Sequence, residues 1–134
     1  MRYLSGIDYN NVDSGIEYLS KNKLDYNTNG NVIYHVYWYG IIDRKQLLCI
    51  NSYIKTQNLE KTELWVWLDS ETYDYSYNMI PKHKNIKVKK YVPSEEAIGT
   101  LLEGNRIINT RGEWKFRSDI ARLIFLNKYG GLYY

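Results

Sequence analysis

Two apolar runs, separated by one amphipathic segment, constrain the fold of this chain more than any other feature of its sequence. The first run is VIYHVYWY at residues 32–39, closed by Gly40, and the second is LWVWL at residues 64–68, followed by Asp69. Short runs rich in β-branched and aromatic residues are typical of buried strands. Residues 44–57 carry leucine and isoleucine at helical spacing, which predicts a helix between the strands. Because such a strand, helix and strand almost always form a right-handed crossover, a parallel sheet follows.

The rest of the chain continues the alternation of helices and strands. A polar, tyrosine-rich loop follows Asp69 and reaches Pro81, and residues 86–92 then predict a third strand. Pro93, with a serine and two glutamates behind it, opens a short helix that we expect to extend to about residue 102. The fold class expected from this pattern is α/β, with helices flanking a mostly parallel sheet.

The sequence delimits the last helix and the strand after it more sharply. Thr110 and Glu113 have the spacing of a capping box, which predicts that a helix begins there. Gly130 and Gly131 supply the positive φ angle of a helix C-terminal cap, so the helix should end near residue 129. Residues 132–134 then begin a β-prone run. The apolar side of the helix consists of residues at helical spacing: Trp114, Ile120, Ala121 and Ile124.

Length and composition indicate one globular domain. The chain has 134 residues, of which 44% are hydrophobic and 25% charged, values near the averages for folded domains. Residues 1–31 are polar and rich in asparagine, and we expect an amino-terminal arm or a short helix there, with residues 14–24 as the helical segment. Residues 32–134 then form the main domain.

The charge pattern argues against several classes of partner and site. A formal net charge of +3 is far from the dense basic patch of a nucleic-acid-binding protein, so no nucleic-acid partner is expected. The dense basic cluster at residues 82–90 alternates with Ile86 and Val88, which predicts a strand with a solvated lysine face. The two histidines and the single cysteine are too scattered for a zinc site.

Nothing in the sequence predicts insertion into a membrane. No apolar run approaches the length of a membrane span, and Asp8, Asp13 and Glu17 interrupt the region where a signal peptide would be apolar. We therefore expect a cytoplasmic setting, with an anchor outside this segment left open.

Asp119 and Arg122 lie three residues apart in the last predicted helix and so share one of its faces. In a first interpretation they form an exposed ion pair within the helix, which contributes about 0.2–0.5 kcal/mol. In a second, both side chains point at one ligand. The spacing alone does not decide between these interpretations.

The phrase around this pair reads SDIAR from Ser118, then a hydrophobic helical turn, then YGGLY up to Tyr133. It closely resembles the sugar-nucleotide-binding region of the DXD-containing glycosyltransferases. That family includes yeast-type mannosyltransferases that initiate outer chains, capsular polysaccharide enzymes and the glucosyltransferase domains of large clostridial toxins. The resemblance implies that Asp119 and Arg122 hydrogen-bond the ribose and donor-sugar hydroxyls. It also implies that Ser118 contributes to nucleotide binding and Tyr133 to donor-sugar binding.

The first strand carries a second point of resemblance. The string YHVYWYG at residues 34–40 is similar to the family's opening strand, which reads like Ile-His-x-x-Trp-x-Gly. The resemblance implies that Trp38 packs on the uracil or guanine ring of the donor, whereas a strand tryptophan is otherwise a core residue. His35 we expect to be a strand residue with a satisfied hydrogen bond. Asp69 loosely matches a polar position near the donor base or ribose.

The resemblance covers residues 32–134 and implies a GT-A type nucleotide-sugar-binding sandwich, truncated before the family's metal-binding motif. That motif, Asp-x-Asp, would hold Mn²⁺ or Mg²⁺ and is expected beyond Tyr134, so we assign no metal ligand and no catalytic residue to this chain. The implied partners are a UDP- or GDP-sugar and a glycan or protein acceptor. The implied reaction of the complete protein is sugar transfer with retention, and we expect this chain alone to transfer little or no sugar.

Two other hypotheses stay open. The first is a catalytically silent sugar- or nucleotide-binding module, or a truncated gene product, that uses Trp38 and the tyrosines as stacking surfaces. The second is an interaction fragment, because an unpaired carboxyl-terminal strand invites strand addition or self-association.

Overall fold

The sheet of this protein is parallel throughout. The computed structural model describes residues 30–109 and 114–133, and four strands lie within those ranges. The strand order is β3-β2-β1-β4, and each neighbouring pair is parallel. The predicted α/β class with a mostly parallel sheet is therefore confirmed. The strands are β1 (Val32–Trp38), β2 (Thr62–Asp69), β3 (Ile86–Tyr91) and β4 (Leu132–Tyr133).

Within the described ranges, two long helices flank the sheet, and shorter helical turns connect the strands near its carboxyl end. The α-helices are α1 (Arg44–Thr56), α2 (Tyr73–Ser76), α3 (Pro93–Glu96) and α4 (Trp114–Tyr129). Short 3₁₀ turns occupy Tyr77–Met79 and Arg106–Asn109. None of the helices within the described ranges is long and apolar enough to cross a membrane.

Each face of the sheet has its own core, because alternate strand residues point to opposite faces. Val36 and Val66 pack with α1 on one face, which we call the α1 face. Trp65 and Trp67 pack with α4 on the other, the α4 face. The predicted apolar side of α4 is confirmed for its described members, which are all buried: Ile120, Ala121 and Ile124.

The core of the α4 face is rich in aromatic residues. The ring of Trp67 stacks on that of Phe125, with centroids 4.2 Å apart and planes 14° from parallel. His35 lies beside them with no exposed surface. Its Nε2 is 2.9 Å from the carbonyl oxygen of Gly130, and its Nδ1 accepts a hydrogen bond from the Trp67 indole at 3.1 Å. The expectation of a strand histidine with satisfied hydrogen bonds is confirmed.

The turn from α4 into β4 requires glycine. Gly130 and Gly131 have φ angles of 68° and 87°, in the left-handed region that glycine adopts without strain. A Cβ on Gly131 would collide with the backbone carbonyl of Ile33, whereas one on Gly130 would meet nothing within 4 Å. The prediction that the helix ends near residue 129 at a glycine cap is confirmed.

Two local predictions are wrong. The helix that begins at Pro93 ends at Glu96, not near residue 102. Beyond it the backbone forms successive tight turns and passes through Gly99 at φ 79°, and isolated turns replace the helical hydrogen-bond ladder. The loop predicted after Asp69 instead contains α2 and a 3₁₀ turn.

The solvated lysine face predicted for β3 is also wrong in part. Lys87 is exposed and pairs with Glu63 at 2.6 Å. Lys89, on the same face, is half-buried, and its Nζ lies 4.1 Å from the centre of the Trp65 ring. Burial lowers the pKa of Lys89. The long aliphatic stem lets a lysine pack on an aromatic ring while its charge stays near water, which the alternation rule does not take into account.

Three predictions fall outside the described residues. They are the amino-terminal arm with its helix at residues 14–24, the capping box of Thr110 and Glu113, and the side chain of Trp114.

Candidate functional site

A cleft of about 290 Å³ lies at the carboxyl end of β1. It is positioned where the strand order reverses: the chain leaves β1 through α1 on one face, and it reaches β4, on the other side of β1, through α4 on the opposite face. Open parallel sheets bind ligands at such a switch point, outside the carboxyl ends of the strands. The cleft is lined by Tyr37, Trp38, Tyr39, Gln46 and Ser118.

Trp38 belongs both to the core and to the cleft. As the last residue of β1 it is half-buried and packs against the core of the α1 face. It also forms part of the cleft wall. Both interpretations of this tryptophan therefore have a geometric basis, since one part of the side chain packs and another part borders the cleft.

The end of β1 is held in place by the segment after β2, which includes α2. The backbone N–H of Gly40 donates to Thr72 Oγ1 at 3.0 Å, and Ser76 donates to the Gly40 carbonyl at 2.7 Å. Ser76 is fully buried. Because Gly40 is fixed from both sides, the preceding Trp38 and Tyr39 have a defined position at the cleft.

Ser118 connects the cleft to β4. Its Oγ lies 2.8 Å from the hydroxyl oxygen of Tyr133, and the guanidinium of Arg122 lies 4.9 Å from the centre of the Tyr133 ring. Burial raises the pKa of Tyr133. The structure thus brings together three residues that the resemblance associates with nucleotide and sugar.

Asp119 and Arg122 form the i,i+3 pair that their spacing allows. Their closest charged atoms are 3.9 Å apart, and their side chains are 65% and 50% exposed. This is the geometry of the first interpretation, an exposed ion pair of small energy. The same exposure leaves both side chains accessible from solvent, so the second interpretation also stands as a prediction.

Asp69 is buried, unlike the exposed candidates Asp119 and Arg122. Its side chain is 0% exposed. One carboxylate oxygen accepts from the Tyr37 hydroxyl at 2.5 Å and from Arg117 Nε and Nη2 at 2.9 and 2.7 Å. The other accepts from the Glu71 backbone at 3.0 Å. With both oxygens engaged by protein, this geometry favours a role in holding Arg117 and Tyr37.

Arg117 is a residue of this region that the sequence did not reveal. Its guanidinium also lies 3.8 Å from Glu71, which accepts a hydrogen bond from Tyr39 at 2.9 Å. Although burial opposes its charge, hydrogen bonds to Asp69 and Tyr37 raise the pKa of Arg117. Burial, reinforced by Asp69, raises the pKa of Tyr37. Asp69, which directly follows the apolar run at residues 64–68, is the signal in the sequence. Because buried charges are normally paired, a carboxylate at this position indicates that a cationic side chain lies nearby.

Gln46 lines the cleft and is a second residue of this region that sequence reasoning missed. It is the third residue of α1, and its Oε1 accepts from the Asp43 backbone N–H at 3.1 Å while Asp43 caps the helix. This is a capping box. Its three-residue spacing is visible in the sequence and could have placed Gln46 at the helix start.

The described residues do not fit the divalent cation that the resemblance implies. Within 30–109 and 114–133, no three histidine, cysteine, aspartate or glutamate side chains are grouped so that they could hold a metal ion. Comparisons of this chain with protein-family models, with curated proteins and with solved structures gave no match.

Proposed function

We propose that this chain is the nucleotide-sugar-binding part of a GT-A type glycosyltransferase, as its resemblance to the DXD-containing family implies. The observation that carries the proposal is the cleft at the switch point of the sheet, which Trp38 and Ser118 line together. These residues are 80 positions apart in the sequence, and each was singled out by a separate motif. Their meeting at the edge where parallel sheets bind nucleotides supports one common site.

The cleft suits a flat base with a ribose and sugar attached to it. A base stacked on an aromatic ring is stabilised by about 1–3 kcal/mol, and Trp38 offers a half-buried ring at the end of a strand. On one side of the cleft Ser118 contacts the Tyr133 hydroxyl, and the Arg122 guanidinium lies near the Tyr133 ring. A donor with its base on Trp38 would extend its sugar toward that side.

Each residue then has a role in binding rather than in proton transfer. Asp119 and Arg122, both exposed, would exchange their weak mutual contact for hydrogen bonds to donor hydroxyls. Tyr133 would support the sugar, and Asp69 would act through Arg117 and Tyr37, which it holds. In the complete protein the bound sugar would pass to a glycan or protein acceptor with retention.

Calorimetric titration with UDP- and GDP-sugars tests the proposal. We expect at least one to bind, and we expect Trp38→Ala to weaken binding about 10- to 100-fold through loss of stacking. Ile98→Ala, which trims an exposed apolar side chain outside the cleft, should leave the affinity unchanged. Absence of binding, or equal binding by Trp38→Ala and wild type, would refute the proposal.

One observation favours a second candidate, a binding module without transferase activity. The two carboxylates beside the cleft, Asp69 and Glu71, are both engaged by tyrosine hydroxyls and by Arg117, so neither is presented as an acid or a base. Because this chain alone is expected to transfer little or no sugar, calorimetric binding separates the candidates. Affinity for a UDP- or GDP-sugar that is lost in Trp38→Ala would favour the transferase part, and binding of a carbohydrate without affinity for any nucleotide sugar would favour the module.

A further inference from the structure

We infer that the outward side of α1 is a docking surface for an anionic membrane, on which the protein lies without crossing it. The inference goes beyond the proposed function and does not depend on nucleotide binding. It rests on the positive charge of α1 and its neighbouring loops, and on the apolar side chains that are exposed among these charges.

α1 carries positive charge at both of its ends. Its sequence, RKQLLCINSYIKT, contains three basic residues and no acidic one. Arg44 and Lys45 occupy the first turn, where the positive end of the helix dipole disfavours cations. The stability of the helix therefore does not explain these two residues, and a negatively charged partner at this position would compensate for them.

The exposed side of α1 combines its charges with an apolar side chain. Arg44, Leu48 and Lys55 lie on one side of the helix, opposite its buried residues. Leu48 is 68% exposed, and Ile41, just before the helix, is 78% exposed. Helices that lie on membranes have this combination, because their basic groups meet anionic headgroups while apolar side chains enter the interface.

Further cations surround the carboxyl end of α1. The loop before β3 lies beside the loop after α1, because the Asn85 side chain donates to the carbonyl oxygens of Leu59 and Thr62. Two exposed carboxylates, Asp43 and Glu60, lie in the same region. The two loops add three exposed lysines, which are Lys61, Lys82 and Lys84. We call α1 and these loops the basic surface.

The cations of the basic surface have no carboxylate partner among the described residues. Within residues 30–109 and 114–133, neither the basic residues of α1 nor the three loop lysines form an ion pair. On the α4 face, by contrast, Lys87, Arg117 and Lys128 contact carboxylates at 2.6, 2.7 and 3.6 Å. The charge of the basic surface can therefore act on an external partner.

The exposed apolar side chains favour a membrane over a nucleic acid. A phosphate backbone attracts the cations but offers no apolar environment to Leu48 or Ile41, whereas the interface of a bilayer accepts both kinds of group. Gln46 of the same helix lines the cleft. A protein docked through α1 would therefore hold the cleft close to the membrane surface.

Co-sedimentation of the full chain with lipid vesicles tests the inference. We expect the wild type to sediment with vesicles of phosphatidylcholine and phosphatidylserine, and to stay in the supernatant with phosphatidylcholine alone. Added salt should release the bound protein, because it screens the attraction between the cations and the headgroups. Absence of binding to the anionic vesicles, or equal binding to both kinds, would overturn the inference.

Two pairs of substitutions separate a defined surface from general attraction. Arg44→Gln should weaken binding to the anionic vesicles about 5-fold, and Leu48→Ser should weaken it about 10-fold. Both side chains are exposed, so we expect the variants to fold. Arg106→Gln and Ile98→Ser remove a charge and an apolar side chain at exposed residues next to the core of the α4 face, and they should bind like the wild type.

The variants give two further ways to overturn the inference. Equal losses in the test and control variants would mean that net charge alone governs binding, and unchanged binding by Arg44→Gln would exclude α1 as the docking side. Weaker binding by Arg44→Gln with unchanged binding by Leu48→Ser would indicate a surface for polyanions that makes no apolar contact, which is not a membrane site.

Discussion

The imidazole of His35 both donates and accepts within the core. The fully buried ring joins the Gly130 carbonyl to the Trp67 indole, an arrangement that only the neutral tautomer protonated on Nε2 can satisfy. Burial accordingly lowers the pKa of His35 from 6.5 to about 4. A proton added to Nδ1 would remove the acceptor of Trp67 and place a charge among aromatic rings.

This histidine should make the stability of the protein depend on pH. Between pH 6.5 and about 4, the unfolded chain binds a proton that the folded chain excludes, so the free energy of unfolding rises with pH across this window. The contribution is complete above pH 6.5, is lost as pH falls, and amounts to roughly 3 kcal/mol. Urea unfolding at pH 7.5, 5.5 and 4.5 measures it.

His35→Gln is the matched variant for that experiment, because glutamine retains a donor and an acceptor but does not titrate. We expect its free energy of unfolding to change less with pH than that of the wild type. Parallel pH dependences for the two proteins would show that His35 is not the responsible group.

At the scale of elements, a buried ion pair links α4 to the sheet. Arg117 comes from its first turn and Asp69 from the end of β2, and their side chains are 10% and 0% exposed. Arg122, one turn further along the same helix, forms an exposed pair with Asp119 and lies 4.9 Å from the centre of the Tyr133 ring. The two arginines therefore provide an internal comparison of buried and exposed ion pairs.

Arg117→Met should destabilise the protein by about 3–5 kcal/mol, because it leaves the Asp69 carboxylate buried without its cation. Arg122→Met should change stability by no more than about 1 kcal/mol, since its ion pair is exposed and its contact with the Tyr133 ring is a single cation–π interaction, while weakening binding of the donor sugar. Thermal unfolding and calorimetry measure the two effects separately. Equal losses of stability in both variants would contradict the assignment of Arg117 as the anchor of α4.

The turn between α4 and β4 allows a similar comparison of two adjacent glycines. Gly130→Ala should cost about 1–2 kcal/mol, the penalty for a left-handed residue with a Cβ. Gly131→Ala should cost more, about 3 kcal/mol or above, because its Cβ also meets the carbonyl of Ile33 and pushes β4 away from β1. Urea unfolding gives both values, and similar losses would mean that the close approach of β4 is dispensable.

At the scale of the whole molecule, the sequence predicts the sheet well and the polar connections poorly. The runs that became β1 and β2, the crossover helix and the glycine cap all follow from local patterns, and each is present in the structure. The helix after Pro93 stops early, because its ending depends on turns around Gly99 that hydrophobic periodicity does not encode. Lys89 of β3 packs on Trp65, which belongs to the neighbouring strand β2. The pattern within β3 alone therefore does not predict this contact.

The candidate site also contains residues that the sequence predicts and residues that it does not. The resemblance implies that Trp38, Ser118 and Tyr133 bind one donor; in the structure Trp38 and Ser118 line one cleft, and Ser118 contacts Tyr133. Arg117 escaped notice because its partner Asp69 lies 48 residues away in the sequence. Contacts of this kind are set by the packing of α4 on β2, and no periodicity or spacing within a single segment reports them.

The lysines of β3 have a consequence for how this protein behaves at high concentration. β3 is outermost on its side among the described strands, and an open strand edge is a template for edge-to-edge aggregation. A strand added there would have to remove water from Lys87 and Lys90, which are exposed, and from the half-buried Lys89. Charged side chains protect natural sheet edges in this way. Lys89 thus packs on Trp65 and also keeps the edge of the sheet from acquiring a foreign strand.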